Sequence, residues 1–240
     1  MLVARAGVAA RAGVAAEAGP RIAPAREGTV RAASKQARRE HTFGGGPLRM
    51  FIGLPCPPGA ALGLAVIVAA LPARDWRCVA PVQRHLTLCF LGEQPEALVA
   101  GLTLALRAAT AALGAFRLDL AGLGAFPAVA RPETVWTGCA GPGVAALRQL
   151  AARVEAATAP LGLPAEARAF RPHLTLARRR REGDRRAATA LIQGLCATWA
   201  GHRWGTVEVT EIVVFRSDLG PPGVRYTPVS RVPLASPPVQ

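Results

Sequence analysis

The tetrapeptide His-Leu-Thr-Leu occurs twice in this chain, at residues 85–88 and 173–176, and the two copies contain half of its four histidines. In a β-strand, residues two apart lie on the same face. Each copy would therefore place a His beside a Thr (His85 with Thr87, His173 with Thr175) and turn its leucines toward a core. An imidazole exchanges protons near neutral pH and a hydroxyl donates to an anionic oxygen, so each pair is a general acid/base unit.

A single His-x-Thr in a strand is more often structural than catalytic, because a half-buried His needs only a hydrogen-bond partner. Two identical copies are harder to explain in this way, since a structural repeat would keep its leucines without also keeping His and Thr. Both copies alternate as strands do, and the second follows the turn-favouring pair Arg171-Pro172. We therefore predict that both His/Thr pairs are catalytic and that they face each other across a phosphoryl group.

Helical and strand periods alternate around the two motifs. The spacing of apolar residues predicts helices over residues 60–71, 95–113, 144–161 and 185–199. Strands are predicted at both motifs and at 50–54, 117–120, 134–138, 206–215 and 226–234, with a turn at Phe126-Pro127. This order predicts an α+β fold of two pseudo-symmetric lobes with antiparallel sheets, which face each other across a central cleft.

The first 48 residues differ in composition from the rest. They are basic and rich in Ala, Arg and Gly, and they include two copies of Arg-Ala-Gly-Val-Ala-Ala. Such a segment has too few large apolar residues to offset its ordering entropy. We predict a disordered extension over 1–48 and one bilobal domain over 49–240. The residues leave open whether the extension is functional or reflects a start assigned upstream of Met50.

The net charge of +14 favours a polyanionic partner, most simply nucleic acid. The arginine run 179–181, with Arg185 and Arg186, is predicted to lie on a loop at the rim of the cleft and to attract RNA. The five cysteines contain no Cys-x-x-Cys pair, so we expect neither a disulfide framework nor a metal site, and we expect a cytoplasmic protein. The longest apolar run, 60–71, is shorter than the roughly 20 residues that cross a membrane.

Five segments around and between the motifs are similar to those of one family. They are 49–55, 85–93, 124–127 with 135–136, 170–178, and 215–217 with 223–227. On these segments the chain resembles the 2H phosphoesterase superfamily, which is defined by two His-x-Thr motifs, and most closely its RNA 2′,3′-cyclic phosphodiesterase (2′-5′ RNA ligase-like) branch. The resemblance covers residues 49–234 and implies the same bilobal fold.

The resemblance implies hydrolysis of an RNA terminal 2′,3′-cyclic phosphate to a 2′-phosphate by a monomer. It implies that His85 protonates the leaving ribose oxygen and His173 takes a proton from water, although the residues alone would allow the opposite polarity. The Thr87 and Thr175 hydroxyls can donate to the equatorial oxygens. Because the cyclic diester is strained and carries a single charge, no metal or other cofactor is expected.

Two further residues are predicted to bind substrate. Arg178 matches an arginine that contacts phosphate or RNA backbone in the family, and its alternative is a solvated side chain. Phe90 could stack on the terminal base, or it could belong to the core with its apolar neighbours. Strict alternation places Cys89 at the edge of the site at most, and we expect a buried or half-buried residue there and not a nucleophile.

Other functions are compatible with the same residues. A site of this kind could act on a small cyclic nucleotide or a 2′-5′ linkage, including the reverse ligation. A non-catalytic RNA-binding module is the remaining alternative, and the intact His and Thr in both motifs argue against it.

Overall fold

The computed structural model describes residues 46–163, 169–220 and 223–235. Within these residues the strands are β1 Leu48–Pro55, β2 Trp76–Cys78, β3 His85–Gln94, β4 Phe116–Ala128, β5 Arg131–Ala140, β6 His173–Arg179, β7 Arg203–Val209, β8 Glu211–Gly220 and β9 Gly223–Pro233. The helices are α1 Ala65–Ala69, α2 Leu98–Thr110, α3 Gly143–Thr158 and α4 Arg185–Thr198, with 3-10 turns at Pro58–Leu64, Pro81–Gln83 and Ala159–Leu161.

The two motif strands, β3 and β6, lie next to each other at the centre of one antiparallel sheet. The strand order is β7-β4-β5-β6-β3-β1-β8-β9, and β2 adds to β6. We call β3, β1, β8 and β9 the first lobe, and β6, β5, β4 and β7 the second lobe. The lobes join where Leu86 of β3 pairs with Leu174 of β6. The predicted pair of pseudo-symmetric antiparallel lobes is confirmed, and the two sheets are continuous through this pair.

The leucines of both motifs lie in the core. Leu86, Leu174 and Leu176 have no exposed surface, and they belong to one apolar cluster with the inward faces of α2 and α3. Burying one leucine stabilises a fold by about 1.5–3 kcal/mol. Because a one-residue slip of either strand would exchange its two faces, this burial fixes which face presents His and Thr.

The predicted helix over 60–71 is only partly helical. Its first half is the 3-10 turn Pro58–Leu64, and α-helix is confined to Ala65–Ala69. A Cβ on Gly63 would lie 2.7 Å from the Trp204 carbonyl oxygen, so this turn packs directly against the backbone of β7. The close packing of the turn against a strand and the early prolines both work against a regular helix here.

Three other boundaries differ from the prediction. The predicted strand 206–215 is two strands separated at Thr210, because β7 pairs with β4 in the second lobe whereas β8 pairs with β1 in the first. The predicted turn at Phe126-Pro127 is part of β4, and the chain reverses at residues 129–130 instead. The short strand β2 was not predicted, since three residues are too few to show a period.

Most of the predicted extension lies outside the described residues. The chain divides into units at Gly44 and Gly45, and β1 begins at Leu48, one residue before the predicted domain boundary. None of the helices in the described ranges combines the length and apolar character needed to span a membrane.

Candidate active site

A β-bulge follows the Thr of the first motif strand. Gly53 of β1 lies opposite Thr87, and its neighbour Ile52 lies opposite Cys89, so Leu88 is an extra residue without a partner in the register. The bulge shifts the side-chain alternation by one residue. Leu88 and Cys89 are therefore both buried, and the residue after them returns to the face that carries His and Thr.

The second motif strand repeats this bulge. Trp136 of β5 lies opposite Thr175, and Val135 lies opposite Ala177, so Leu176 is the extra residue. Leu176 and Ala177 are both buried, and Arg178 returns to the outer face. The two motif strands thus share a backbone irregularity as well as four residues of sequence.

The bulges explain the positions of Phe90 and Arg178, each five residues after a motif histidine. Phe90 is 54% exposed, so the alternative that it belongs to the core is wrong. Cys89 is 6% exposed and belongs to the core cluster, but it also lines the site cavity, so it lies at the edge of the site at most, as alternation predicted. The signal that could have revealed the bulge is the apolar pair after each Thr, Leu-Cys and Leu-Ala.

A cavity of about 800 Å³ lies on the face that carries His and Thr. Five of the six predicted site residues line it: Thr87, Phe90, His173, Thr175 and Arg178. Another wall is the outward face of α3, with Arg148 and Glu155 two turns apart. The structure therefore brings residues of both motif strands to one cavity, whereas the sixth predicted site residue, His85, is not among those that line it.

His85 is held by a backbone hydrogen bond and surrounded by aromatic rings. Its Nδ1 lies 2.9 Å from the carbonyl oxygen of Gln83. Because a carbonyl oxygen can only accept, Nδ1 is the donor in this hydrogen bond, and Nε2 is the ring nitrogen left for a substrate. The ring centroids of Phe51 and Tyr226 are 4.6 and 4.7 Å from its own. Burial lowers the pKa of His85 to about 4, the backbone hydrogen bond partly opposes this, and Arg178 and His173 lower it further.

His173 has the same backbone contact in different surroundings. Its Nδ1 donates to the carbonyl oxygen of Arg171 at 2.7 Å, which again leaves Nε2 for the substrate. The Phe126 ring meets it edge-on at 4.8 Å between centroids. Burial lowers the pKa of His173, and the positive charges of Arg178 and Arg171 lower it further, against the effect of the backbone bond. Both imidazoles are therefore mainly neutral at pH 7 in the free protein.

Sequence reasoning missed the aromatic residues behind the histidines. Trp136 lies 6.1 Å from His173 and 5.2 Å from Phe126 between ring centroids. A Cβ on Gly124 would lie 2.3 Å from the Trp136 ring, so only glycine leaves room for this indole. In the first lobe, Gln83 also accepts a hydrogen bond from the Tyr226 backbone N–H at 2.7 Å through its side-chain oxygen, and this bond ties β9 to His85.

The arginine run is only partly as predicted. Arg180 and Arg181 lie on a loop as predicted, but Arg179 belongs to β6, and Arg185 and Arg186 belong to α4. The Arg179 side chain is 5% exposed and pairs with Glu133 at 3.1 Å, and Arg185 pairs with the same carboxylate at 3.3 Å. Arg180 donates to the Ala73 carbonyl oxygen at 2.8 Å. These arginines are therefore engaged in structural contacts at one side of the site.

Arg178 differs from its neighbours because it faces the cavity. Its guanidinium makes a long 3.4 Å contact with the Thr134 hydroxyl, and its charge acts on the pKa of both histidines. A cation in this position can meet an anionic substrate. Among the described residues no group of three or more His, Cys, Asp or Glu is arranged to hold a metal ion.

This chain has relatives among known proteins. The sequence model of the 2′-5′ RNA ligase superfamily matches residues 70–220. The chain is 35% identical over 152 residues to an RNA 2′,3′-cyclic phosphodiesterase of Aeropyrum pernix, covering 63% of this chain and 82% of that protein. It is also 35% identical over 167 residues to a protein of the same name from Thermus thermophilus, covering 68% and 78%.

A solved structure has the same fold. Escherichia coli LigT, in a complex with 3′-AMP, superposes with a TM-score of 0.63 at 28% identity, covering 79% of this chain and 99% of LigT. The family model matches more than half of the chain and includes both motif strands. The chain therefore belongs to the 2′-5′ RNA ligase superfamily, the group of 2H phosphoesterases that its paired motifs resemble.

Proposed function

We propose that this protein hydrolyses RNA terminal 2′,3′-cyclic phosphates to 2′-phosphates by two-histidine acid/base catalysis without a metal. The observation that carries the proposal is the matched presentation of His85 and His173. Each donates through Nδ1 to the carbonyl of the residue two positions earlier, which leaves Nε2 without that bond, and each lies two residues before a Thr on the same half-exposed strand face. Curated relatives that carry this activity by name support the choice of substrate.

In the proposed reaction, a water oxygen attacks phosphorus while the Nε2 of His173 takes its proton. The bond between phosphorus and the ribose 3′ oxygen breaks, and that oxygen receives a proton from the Nε2 of His85. The product is a 2′-phosphate. His173 begins neutral and ends protonated, whereas His85 begins protonated and ends neutral. Thr87 and Thr175 donate to the equatorial oxygens as they gain charge, and Arg178 offsets the charge of the phosphate.

This polarity requires that His85 be charged when substrate binds. Burial among aromatic rings keeps it neutral in the free protein. A bound phosphodiester anion raises the pKa of a nearby imidazole, so substrate and proton should bind together. The opposite polarity, with His173 as the acid, is the alternative that the same geometry allows.

The size of the cavity favours an RNA end over a small cyclic nucleotide. The cavity has a volume of about 800 Å³, and its lining includes the exposed ring of Phe90 and the outward face of α3. A base could stack on the Phe90 ring. Hydrolysis or ligation at a 2′-5′ linkage would use the same histidines and is the second candidate, supported by the family to which the chain belongs.

The test is a product assay on an oligonucleotide that ends in a 2′,3′-cyclic phosphate, run with and without EDTA. The expected result is a terminal 2′-phosphate at a rate that EDTA leaves unchanged. A 3′-phosphate product would reverse the choice of leaving oxygen, and strong inhibition by EDTA would contradict the metal-free reaction. Binding without turnover would favour the non-catalytic RNA-binding alternative.

We also propose that the protein acts as a monomer in the cytoplasm. The five cysteines lie at separate positions and form no disulfide among the described residues, which is typical of a reducing compartment. Sedimentation at micromolar concentration should give the mass of one chain, and a dimer would contradict this part of the proposal.

A further inference from the structure

A second cavity, of about 220 Å³, adjoins the first beyond His173. The residues that line both cavities are Phe126, Arg148, Phe170, Arg171 and His173. A ligand whose phosphate lies at the motif strands can therefore extend past His173 and remain in contact with the protein.

Two exposed guanidinium groups line the region shared by the cavities. Arg148 extends from α3, and Arg171 lies over the Phe126 ring at 5.3 Å, which holds its position while its N–H groups remain available. Among the described residues, neither pairs with a carboxylate, in contrast to Arg179 and Arg185, which share Glu133. The shared region is therefore positively charged and fits an anion.

The remaining walls of the small cavity are largely apolar and aromatic. Trp136 and Val144 line it on one side, and Phe126 and Phe170 line it where it meets the larger cavity. Aromatic side chains favour a planar base, because every base can stack through its π-face. Cationic groups beside aromatic walls are the combination that binds single-stranded nucleic acid.

We propose that the small cavity binds the nucleotide that precedes the cyclic end, and that Arg148 and Arg171 contact the phosphodiester between these two nucleotides. The inference rests on the proposed function and extends it, since it assigns a substrate of at least two nucleotides. A cyclic mononucleotide has no internal phosphodiester and cannot make this contact.

The test compares a dinucleotide that ends in a 2′,3′-cyclic phosphate with the cyclic mononucleotide of the same terminal base. We expect kcat/KM to be at least about tenfold higher for the dinucleotide. The reason is that losing one hydrogen bond to a charged group lowers an affinity by about tenfold or more. Arg148→Gln should lower this ratio about fivefold to tenfold. A dinucleotide with an uncharged methylphosphonate linkage should already have the lower ratio, and Arg148→Gln should then have little additional effect.

The matched control is Arg107→Gln, which removes one exposed charge from α2, outside the lining of both cavities. The control should leave the ratio unchanged. Equal kcat/KM for both substrates in the unmodified protein would overturn the inference, and so would an equal loss on both substrates in Arg148→Gln. Either result would leave the proposed hydrolysis intact.

A binding measurement separates this inference from the chemistry. We expect a dinucleotide with a terminal 2′-phosphate to bind more tightly than the nucleoside 2′-phosphate, with a salt slope of log K that Arg148→Gln reduces by about 0.7. If no cyclic substrate is hydrolysed but this difference is present, the proposed function fails and the subsite stands. If the two ligands bind equally, the subsite is wrong whatever the turnover.

Discussion

The His85 and His173 sites have the same local backbone but different walls. In both, a carbonyl two residues earlier accepts the Nδ1 hydrogen, and a bulge brings the fifth residue after the histidine onto the same face. That fifth residue is Phe90 in one strand and Arg178 in the other. His85 is enclosed by Phe51, Phe215 and Tyr226, whereas His173 lies beside Phe126 and two arginines.

The difference shows how the same motif would serve the two roles that we propose for it. The shared hydrogen bond occupies Nδ1 at both positions, so in the proposed mechanism Nε2 is the nitrogen that meets the substrate at each. The walls decide how readily each imidazole takes a proton, and they differ because they come from different strands. Burial is the largest cause of the lowered pKa at both histidines, and the Arg178 charge lowers both pKa values; His173 also lowers the pKa of His85, whereas Arg171 also lowers that of His173.

The largest expected effect tests whether both sites act in one step. His85→Ala and His173→Ala should each lower kcat by about 10²–10⁴-fold, because each removes a proton transfer from the transition state. The double variant should be little worse than either single variant, since the two act as a unit. Steady-state kinetics on the cyclic-ended oligonucleotide measures this. Near-full activity in one single variant would show that this histidine takes no part in the reaction, and the His85 and His173 sites would then not act as a pair.

The next effect concerns the acid stability of the first lobe. The pKa of His85 is about 4 in the folded protein against 6.5 for an ordinary histidine, so between these pH values the unfolded chain binds more protons. Stability should therefore fall as pH falls through this window, with a contribution from His85 of up to about 3 kcal/mol. His85→Gln should remove that contribution and flatten the dependence, as measured by urea unfolding at several pH values.

His173→Gln is the matched control for acid stability. Its pKa is less strongly lowered, so it should flatten the pH dependence by less. An equal effect of the two substitutions would mean that the walls of the two sites do not differ as described.

A smaller effect separates the two residues that follow the bulges. Arg178→Gln and Phe90→Leu should each weaken substrate binding by about tenfold, through a lost phosphate contact and a lost stacking surface respectively. Only Arg178→Gln should reduce the salt slope of log K, by about 0.7 for a single strand. Binding titrations at several salt concentrations measure both. If Phe90→Leu reduces the salt slope as much as Arg178→Gln does, then Phe90 does not act by stacking alone, and the roles assigned to these two residues are wrong.

The smallest expected effect concerns the residues buried by the bulges. Cys89 occupies the position that Ala177 holds in the second motif strand, so Cys89→Ala makes the two strands alike there. We expect a loss of stability near 1 kcal/mol from the buried sulfur and a kcat within about twofold of the unmodified protein. A large loss of kcat would give Cys89 a part in the chemistry that its burial argues against.

The sequence predicted the parts of the site that depend on short-range pattern. The leucines that alternate with His and Thr predicted two strands and the face that each presents, and the leucines at 102, 106, 147 and 150 predicted α2 and α3. The bulges were not predicted: the apolar pair after each Thr is their trace in the sequence, but their positions depend on the register with a neighbouring strand.

The walls around the histidines depend on contacts that are distant in sequence. Phe51, Phe215 and Tyr226 come from three different strands to surround His85. The neutralisation of Arg179 by Glu133 likewise joins two strands, so a run of arginines could not reveal which of its members faces the cavity. Within that run only Arg178 was predicted to bind substrate, and this prediction rested on the family resemblance, since spacing alone left a solvated side chain open.

The order of strands has a consequence for how the protein folds during synthesis. The four strands of the second lobe are contiguous in the chain, within residues 116–209, whereas those of the first lobe come from 48–94 and 211–233. The second lobe can therefore pair its strands on the ribosome while β1 and β3 still lack β8. Because Phe215 and Tyr226 arrive last, the environment of His85 is completed only by the final strands. The strand pairs of the first lobe are farther apart in the chain, so we expect this lobe to close after the second and activity to require translation of β9.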